Sequence, residues 1–533
     1  MAPRIRHQSL ALGLLALLLF CAGVYHQAAI GFDSRFVLFA QEMLRNGPSF
    51  FPTTYGEPYA DYSGLSTLFI WVLSLPFGQV SSLTAWLPSA IAAAVIVTLM
   101  YRLLAPYSTR WALLSIALLL LTNTFITETR AVSLDLMLAA VTFAVFYLGY
   151  AADHFAARRR WVMIFALLVL GFWIRGPIGL VIPTGVLCSY LLIELQWRRL
   201  LVFGLLASAL LAGCIGLMLW LADVSGGPGF LQDVIRMQFM GRMDGSEGSG
   251  DLLYYFTSSV GNYALAWPLA VLALIAMALS RPRDTGPASR LVMYCVAAGL
   301  IVMIGLSIPQ AKKARYVLPM LPMAAIVAAY PFQAAEGRLF AWLRGLIQAL
   351  CLLIPGSLMV GLLVLRHKFP DEVTHLPSLF VILSLLQAAA LTVLLQPRWR
   401  DWRAQVLAAC AVLALWSFYI LQFEPVQREL YDTRTFSQAA FELIEKEPAP
   451  LVMHQMGKDA KAIKFMVNIK QDLKPVFTYD TLQLENLKGP AWLMMDRNVY
   501  DALQGTAFGA LPPVLSGRFD KNDFVLLHLK QGS

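Results

Sequence analysis

The chain has 533 residues, 58% of them hydrophobic and only 14% charged, with a mean hydropathy of +0.64. Soluble domains of this size carry roughly 45–50% apolar and about 25% charged residues, so lipid is the expected solvent for most of this sequence. The formal net charge of +9 does not point to nucleic acid, because the basic residues sit mostly in short loops between apolar runs, where they set membrane orientation.

Met-Ala-Pro-Arg-Ile-Arg-His opens the chain, and the apolar run from Ser9 continues nearly unbroken to about Tyr25. That length suits a retained anchor better than a cleaved signal peptide. A helix needs around 20 apolar residues to cross about 30 Å of hydrocarbon. Runs of that kind fall near 9–27, 83–104, 111–126, 132–152, 161–174, 178–195, 200–222, 260–279, 291–308, 316–332, 346–365, 376–395 and 406–423. These thirteen predict a polytopic α-helical membrane module over 1–423. Leu65–Phe77 is too short to span, ends at Gly78, and is expected to be interfacial or re-entrant.

Placing Arg4 and Arg6 in the cytoplasm puts Arg102/Arg110, Arg158-Arg159-Arg160, Arg198-Arg199, Arg281/Arg283/Arg290, Arg338/Arg344 and Arg398/Arg400/Arg403 on the same side. That is the positive-inside pattern, and counting Leu65–Phe77 as a span would invert everything after it. Two long loops, 31–82 and 223–259, and the tail 424–533 then face the opposite compartment. The tail alternates short apolar runs (Leu451–His454, Pro475–Tyr479, Trp492–Met495, Phe524–Leu529) with helix-like stretches (Lys461–Val467, Val499–Leu503), which predicts a small soluble α/β domain.

Cys21, Cys188, Cys214, Cys295, Cys351 and Cys410 each lie inside an apolar run with no CxxC pair, and read as small packing residues. Seven scattered histidines form no metal-binding spacing. The informative charges are those on the side that should be poor in cations. Lys312, Lys313 and Arg315 crowd the short loop between the ninth and tenth runs. Arg130 and Arg175 flank the fourth and fifth, and Arg236 and Arg242 lie in the second long loop. An anionic ligand at that face, particularly a phosphate, explains their placement; headgroup snorkelling is the alternative. Acids accompany them: Asp33 and Asp61 in the first loop, and Asp135 in the opening turns of the fourth run. An aspartate inside a span costs on the order of 2.5–3.5 kcal/mol at its centre, so it faces a cavity or a partner, and an Asp135–arginine salt bridge is the structural alternative.

The order of these features resembles the GT-C fold lipid-linked-sugar glycosyltransferases, in the branch of the lipid A 4-amino-4-deoxy-L-arabinose transferase (ArnT-like) and protein O-mannosyltransferase (PMT) family. The resemblance is carried by Gly31-Phe32-Asp33-Ser34-Arg35, Gln41 to Gly47, Gly56-Glu57-Pro58-Tyr59-Ala60-Asp61-Tyr62, and Arg130 with Leu134-Asp135. It continues in Arg175-Gly176-Pro177-Ile178-Gly179, Gln238 to Arg242, and Lys312-Lys313-Ala314-Arg315-Tyr316-Val317-Leu318-Pro319. It implies about thirteen transmembrane helices with an outer C-terminal domain, in the inner membrane of a bacterium. It also implies a sugar taken from a polyprenyl phosphate, such as an undecaprenyl phosphate, and passed to a lipid A, glycan or protein acceptor.

Asp33 then matches the acidic site of the first loop and Asp135 the acid of the fourth span. Arg35, Arg242, Lys312 and Lys313 match phosphate contacts, with Tyr316 beside them, and Arg130, Arg175, Arg315 and Tyr62 are further candidates. Where the family carries two adjacent acids in the first motif this chain has one, and where the aminoarabinose transferases carry Glu-Lys it reads Asp61-Tyr62. Asp61 remains a candidate ligand for a divalent metal ion.

Breaking a glycosyl–phosphate bond builds negative charge on the departing phosphate, which fixed cations stabilise more in the transition state than in the ground state. A hydroxyl acceptor needs a base, for which Asp33 is the first candidate; an acceptor that is already a phosphate needs none. A single displacement with inversion is expected. The rival class is a transporter or flippase of a lipid-linked anion, which would also put charges in a membrane cavity; the gathering of polar residues at one face and the lack of an inverted repeat weigh against it.

Overall fold

The computed structural model describes residues 3–24, 33–158, 160–240, 251–280, 286–334, 337–368, 376–471, 473–487 and 489–530. Each of the thirteen apolar runs is helical over most of its length. Among the described residues nine helices are long and apolar enough to cross a membrane, and up to eleven if two bent pairs each count as one span. One pair is α5 (Thr109–Leu120) with α6 (Asn123–Thr129), bent by 73°. The other is Tyr254–Asn262 with Ala266–Leu279, bent by 112°.

The expected thirteen exceed this count by two short helices. They are α8 (Trp161–Arg175, 15 residues) and α9 (Pro177–Ile193, 17 residues). At 1.5 Å per residue they rise about 22 and 26 Å, less than the hydrocarbon thickness.

Their shared turn is why they stop where they do. Gly176 adopts φ +67°, open to glycine at little cost, and Pro177 occupies the first position of α9, where no N–H is needed. The two backbones then run very close: a Cβ on Gly171 would lie 2.2 Å from the Gly179 carbonyl oxygen, and one on Gly179 1.8 Å from that of Gly171. Small residues at a membrane helix crossing allow such an approach. α7 (Leu134–His154) packs against both helices.

The chain divides into two compact units. The first comprises Met1–Ala22, Ala60–Ser66 and Trp86–Gln422. It includes α1 (Pro3–Cys21), most of α4 (Ser82–Leu104), α5 to α9, and α10 (Trp197–Ile235). Here the expected outer loop 223–259 is corrected. Helix runs through most of its first half, interrupted at Gly227 (φ +73°) with Pro228 restarting it, and passes into a π-helical turn at Arg236–Met240. The Gly-Gly-Pro sequence marks a kink, not the end of helix, because proline is compatible with a helix's first turn.

The second unit comprises Gly23–Tyr59, Thr67–Ala85 and Phe423–Ser533. Sequence reading assigned the first two segments to the membrane module; they cluster with the tail. The tail folds into a five-stranded sheet of order β4-β3-β5-β7-β6, formed by β3 (Leu451–His454), β4 (Val476–Thr478), β5 (Ala491–Asp496), β6 (Leu515–Phe519) and β7 (Asn522–Leu529). β3 pairs in parallel with β4 and β5, whereas β7 runs antiparallel to β5 and β6. Val452, Leu493, Met495, Val525 and Leu527 fill one face of this sheet.

The amphipathic helix α2 (Asp33–Asn46) packs on helix Lys461–Met466 of the tail. Gln41 and Arg45 donate to the carbonyls of Val467 and Ile469 at 3.1 and 3.2 Å. Beside it, β1 (Thr53–Thr54) and β2 (Glu57–Pro58) form a hairpin turning at Tyr55 and Gly56, both at positive φ. The buried Glu42 carboxylate holds this turn, accepting from Thr53 Oγ1 at 2.5 Å and from the N–H groups of Tyr55 and Gly56 at 2.7 and 3.3 Å. Helix α3 (Leu65–Ser74) and a following 3-10 turn stop at Gly78 in the left-handed region, at the residue where the apolar run was expected to end.

Candidate functional site

Within the first unit, the most heavily charged buried position is the N-terminal turn of α7. Ser133 caps the helix by accepting from the Leu136 N–H at 3.1 Å, which fixes Asp135 in the first turn of a largely apolar helix. Asp135 is 5% exposed. Its Oδ1 accepts from Arg175 Nε at 3.0 Å, and its Oδ2 lies 3.2 Å from Arg315 Nε. Arg175 arrives from the last turn of α8, placed by the Gly171–Gly179 crossing; Arg315 arrives from the 3-10 helix Ala314–Met320. The Tyr316 ring covers the Arg175 guanidinium, 4.9 Å from centroid to Cζ. The trio carries one negative and two positive charges in a place where unpaired charge is costly.

A cavity of about 440 Å³ opens on this cluster. Asp135, Arg175, Tyr255 and Tyr316 form its polar part, and Leu138, Ile178, Ile182 and Leu306 its apolar wall. A second recess of about 250 Å³ shares Arg175 and reaches Asp61, Tyr62, Gly176 and Gln238. Gln238, 6% exposed, donates through Nε2 to the carbonyls of Asp61 and Ala60 at 2.5 and 3.3 Å, and so ties the 60–66 segment to the π-helical turn after α10. Its Oε1 has no hydrogen-bond partner among the described residues. A Cβ at position 176 would come within 2.9 Å of that oxygen, a second reason for glycine there.

The structure thus brings Asp135, Arg175, Arg315 and Tyr316 together, with Asp61 and Tyr62 joined through Arg175. Lys312, 5% exposed, and Lys313, exposed, directly precede the 3-10 helix that carries Arg315 and Tyr316. The arginine nearest Asp135 in sequence is not its partner. Arg130, 3% exposed, donates through Nη1 to the carbonyls of Phe20 and Ala22 at 2.9 and 2.8 Å and so closes the C-terminal end of α1. Arg242 lies outside the described residues.

Asp33 and Arg35 belong to the second unit. Asp33 is the first residue of α2 and 6% exposed. Arg35 donates to the Asp459 carbonyl at 2.8 Å and stands 5.3 Å from the Tyr59 ring centroid. Among the described residues no three His, Cys, Asp or Glu side chains are grouped to hold a metal ion, so Asp61 has no such company there.

Two residues escaped the sequence reading. Glu128, in α6, accepts from the Ser133 hydroxyl and lies half-buried close to the Asp135 turn. Its signal was an acid two residues before Arg130, hidden because the third apolar run was taken to end at 126. Gln238 sat inside a quoted motif, but an uncharged amide gives no sequence-level sign of burial.

Comparisons with known proteins agree with this architecture. Residues 64–221 match the family model described as dolichyl-phosphate-mannose-protein mannosyltransferase. No curated protein matches the chain significantly. Two crystal structures of ArnT from Cupriavidus metallidurans superpose over 98% of this chain and 98% of their own: the apo form at TM-score 0.73 and 17% identity, and the form bound to undecaprenyl phosphate at 0.72 and 18%. The chain has the fold of ArnT, and its resemblance to the ArnT-like and protein O-mannosyltransferase branch of the GT-C fold enzymes rests on that fold and on the family match together.

Proposed function

We propose that this protein is a membrane glycosyltransferase that takes a sugar from a polyprenyl phosphate at the outer face of a bacterial inner membrane and transfers it with inversion to a lipid, glycan or protein acceptor. The observation that carries this reading is the buried Asp135–Arg175 pair, joined by Arg315 on the second carboxylate oxygen, at a cavity that Arg175 lines and that is walled on one side by aliphatic residues. A phosphate on an isoprenoid chain needs both halves of that environment. The likeness to an ArnT fold that binds undecaprenyl phosphate supports the same donor class here.

Arg175 and Arg315 would hold the departing phosphate, and Lys312, Lys313, Arg35 and Arg242 are assigned as further contacts to it. Asp135 orients both guanidinium groups, of which Arg175 lines the cavity, and offsets their mutual repulsion before the donor arrives. Such preorganised cations act most strongly where water is excluded. Asp33 is assigned as the base for a hydroxyl acceptor. The N-terminus would be cytoplasmic and the C-terminal domain periplasmic, in keeping with the arginine-rich loops.

The test supplies purified protein with undecaprenyl-phosphate-linked sugars and follows release of the polyprenyl phosphate. Arg175→Ala should lower turnover by about 100-fold or more, and Asp33→Asn should be inactive toward a hydroxyl acceptor. Transport of the donor across sealed vesicles with no sugar release would replace this reading by that of a flippase. Turnover unchanged in Asp33→Asn would remove only the assigned base.

A further inference from the structure

The opposite end of α7 carries a second charged pocket. Asp153 lies eighteen residues after Asp135, about 27 Å along the helix axis. Its Oδ1 pairs with Arg199 Nη1 at 3.2 Å and its Oδ2 accepts from the Tyr190 hydroxyl at 3.1 Å. Around this pair a pocket of about 320 Å³ opens between α7, α8, α9 and the start of α10. Leu148, Ile164, Leu187 and Leu191 form its apolar depth, and Arg160, Trp161 and Arg199 its rim.

Three features identify the occupant. First, the charge of Asp153 is already balanced by Arg199, while Arg160 is exposed and has neither hydrogen bond nor ion pair among the described residues. The rim therefore offers an uncommitted guanidinium beside a partly satisfied one. Second, Trp161 at the rim and the exposed Trp197, which opens the same helix α10 that carries Arg199, are the residue type concentrated at the membrane–water boundary. Third, the neighbouring surface is apolar and open: Val162, Leu195 and Leu201 are 85, 68 and 65% exposed. A ligand for such a place has an anionic head at the interface and an aliphatic chain running inward.

We propose that this pocket binds an anionic membrane phospholipid, its phosphate held by Arg160 and Arg199 and one acyl chain laid over the half-buried Leu148 and the exposed apolar surface at Val162. Basic pockets between membrane helices are established sites for anionic headgroups. The site shares no lining residue with the Asp135 cavity, and its occupancy is independent of the sugar-transfer reading.

The experiment uses delipidated full-length protein in detergent and native mass spectrometry, with phosphatidylglycerol, phosphatidylcholine and inorganic phosphate as probes. Arg160→Gln removes a rim charge without touching the Asp153–Arg199 pair. Ala152 also lines the pocket, and Ala152→Phe fills it while leaving every charge in place. Wild type should retain one phosphatidylglycerol in preference to phosphatidylcholine. Arg160→Gln should weaken that retention about tenfold, the loss of one charge-assisted hydrogen bond, and Ala152→Phe should abolish it. Unliganded melting temperatures equal to wild type show that both variants fold. Equal retention of the two lipids, retention unchanged in either folded variant, or displacement of the lipid by inorganic phosphate at millimolar concentration each overturns the proposal.

Discussion

The two ends of α7 each hold an aspartate paired with arginine, and they differ in what surrounds the pair. At the Asp135 end both partners are 7% exposed at the side chain, and a second guanidinium from Arg315 and the nearby Glu128 carboxylate join them. At the Asp153 end the arginine is 35% exposed, the acid is 14% exposed, and a tyrosine hydroxyl takes the place of the second cation. A buried pair broken on one side leaves a charge that water cannot reach; a half-exposed pair broken on one side is rescued by solvent. The same two residue types therefore do different work. One end gathers several charges inside the fold beside a cavity, and the other ties neighbouring helices together.

Neutralising each acid separately should have very different consequences. Asp135→Asn should cut sugar transfer by about 100-fold or more. It should also destabilise the protein by about 3–5 kcal/mol, because Arg175 is left charged and buried. Asp153→Asn should keep transfer within about twofold and cost less than about 1 kcal/mol. Initial rates with a polyprenyl-phosphate sugar and thermal melts in detergent check both. Equal losses from the two substitutions would mean that the Asp135 cluster is structural only.

Glycines near the two ends give a smaller and more geometric test. Gly179→Val has to separate α8 from α9, since even a Cβ would meet the Gly171 carbonyl at 1.8 Å. Overpacking costs about 1–3 kcal/mol. The accompanying shift of Arg175 should lower turnover by more than tenfold, because displacements of about 1 Å are costly at a reacting centre. Gly149→Ala, on α7 near the Asp153 pocket, meets only Leu187 Cδ1, 2.5 Å away, the far end of a side chain that can rotate. It should leave turnover unchanged. A similar defect in both variants would show that helix packing in general, not the seat of Arg175, limits activity.

How much of this was legible depended on the kind of signal each residue leaves. Hydropathy alone located the spans, the stop at Gly78 and four of the five tail strands, because these follow from apolar runs and a left-handed glycine. β6 was missed: Leu515-Ser-Gly-Arg-Phe is an edge strand with half its residues toward water and too few apolar positions to stand out. Helix Arg434–Lys446 left a readable trace, with Phe436, Ala440 and Ile444 buried at intervals of four, but lay outside the runs chosen. At the site, Asp135, Arg175 and Arg315 were singled out by orientation, since each is a charge on the wrong side or inside a span. Their pairing was not legible. Arg130 is the cation nearest Asp135 in sequence, yet α6 and the following turn carry its guanidinium to the end of α1, and only tertiary packing decides that. The grouping of α2 with the tail was equally hidden, because Gln41 and Arg45 reach carbonyls more than 400 residues away.

The smallest expected effect concerns charged groups outside the membrane-spanning helices, where titration rather than mutation separates buried from half-exposed. In the tail domain His454 is 1% exposed; its Nδ1 is 3.0 Å from Thr478 Oγ1, and its Nε2 has no partner among the described residues. Burial pushes its pKa below the ordinary histidine value, with Thr478 and Asp480 opposing. The folded domain therefore holds a neutral ring while the unfolded chain takes up a proton as pH falls through about 6.5. Stability present above that pH is lost progressively as pH falls from there toward the lowered folded value. Asp496 behaves differently. Burial raises its pKa, but hydrogen bonds from Asn522, the Asn498 N–H and Lys461 outweigh burial and hold the carboxyl below the usual range. Its contribution is intact above about pH 3.9 and disappears only below it, as pH falls through the lowered folded value. Between pH 7 and 5 the urea midpoint of this domain in the full-length protein, followed by limited proteolysis within residues 451–529, should therefore fall with His454 and not with Asp496. His454→Gln should flatten that slope, and Asp496→Asn should leave it unchanged. A slope that survives His454→Gln would place the titrating group elsewhere in the domain.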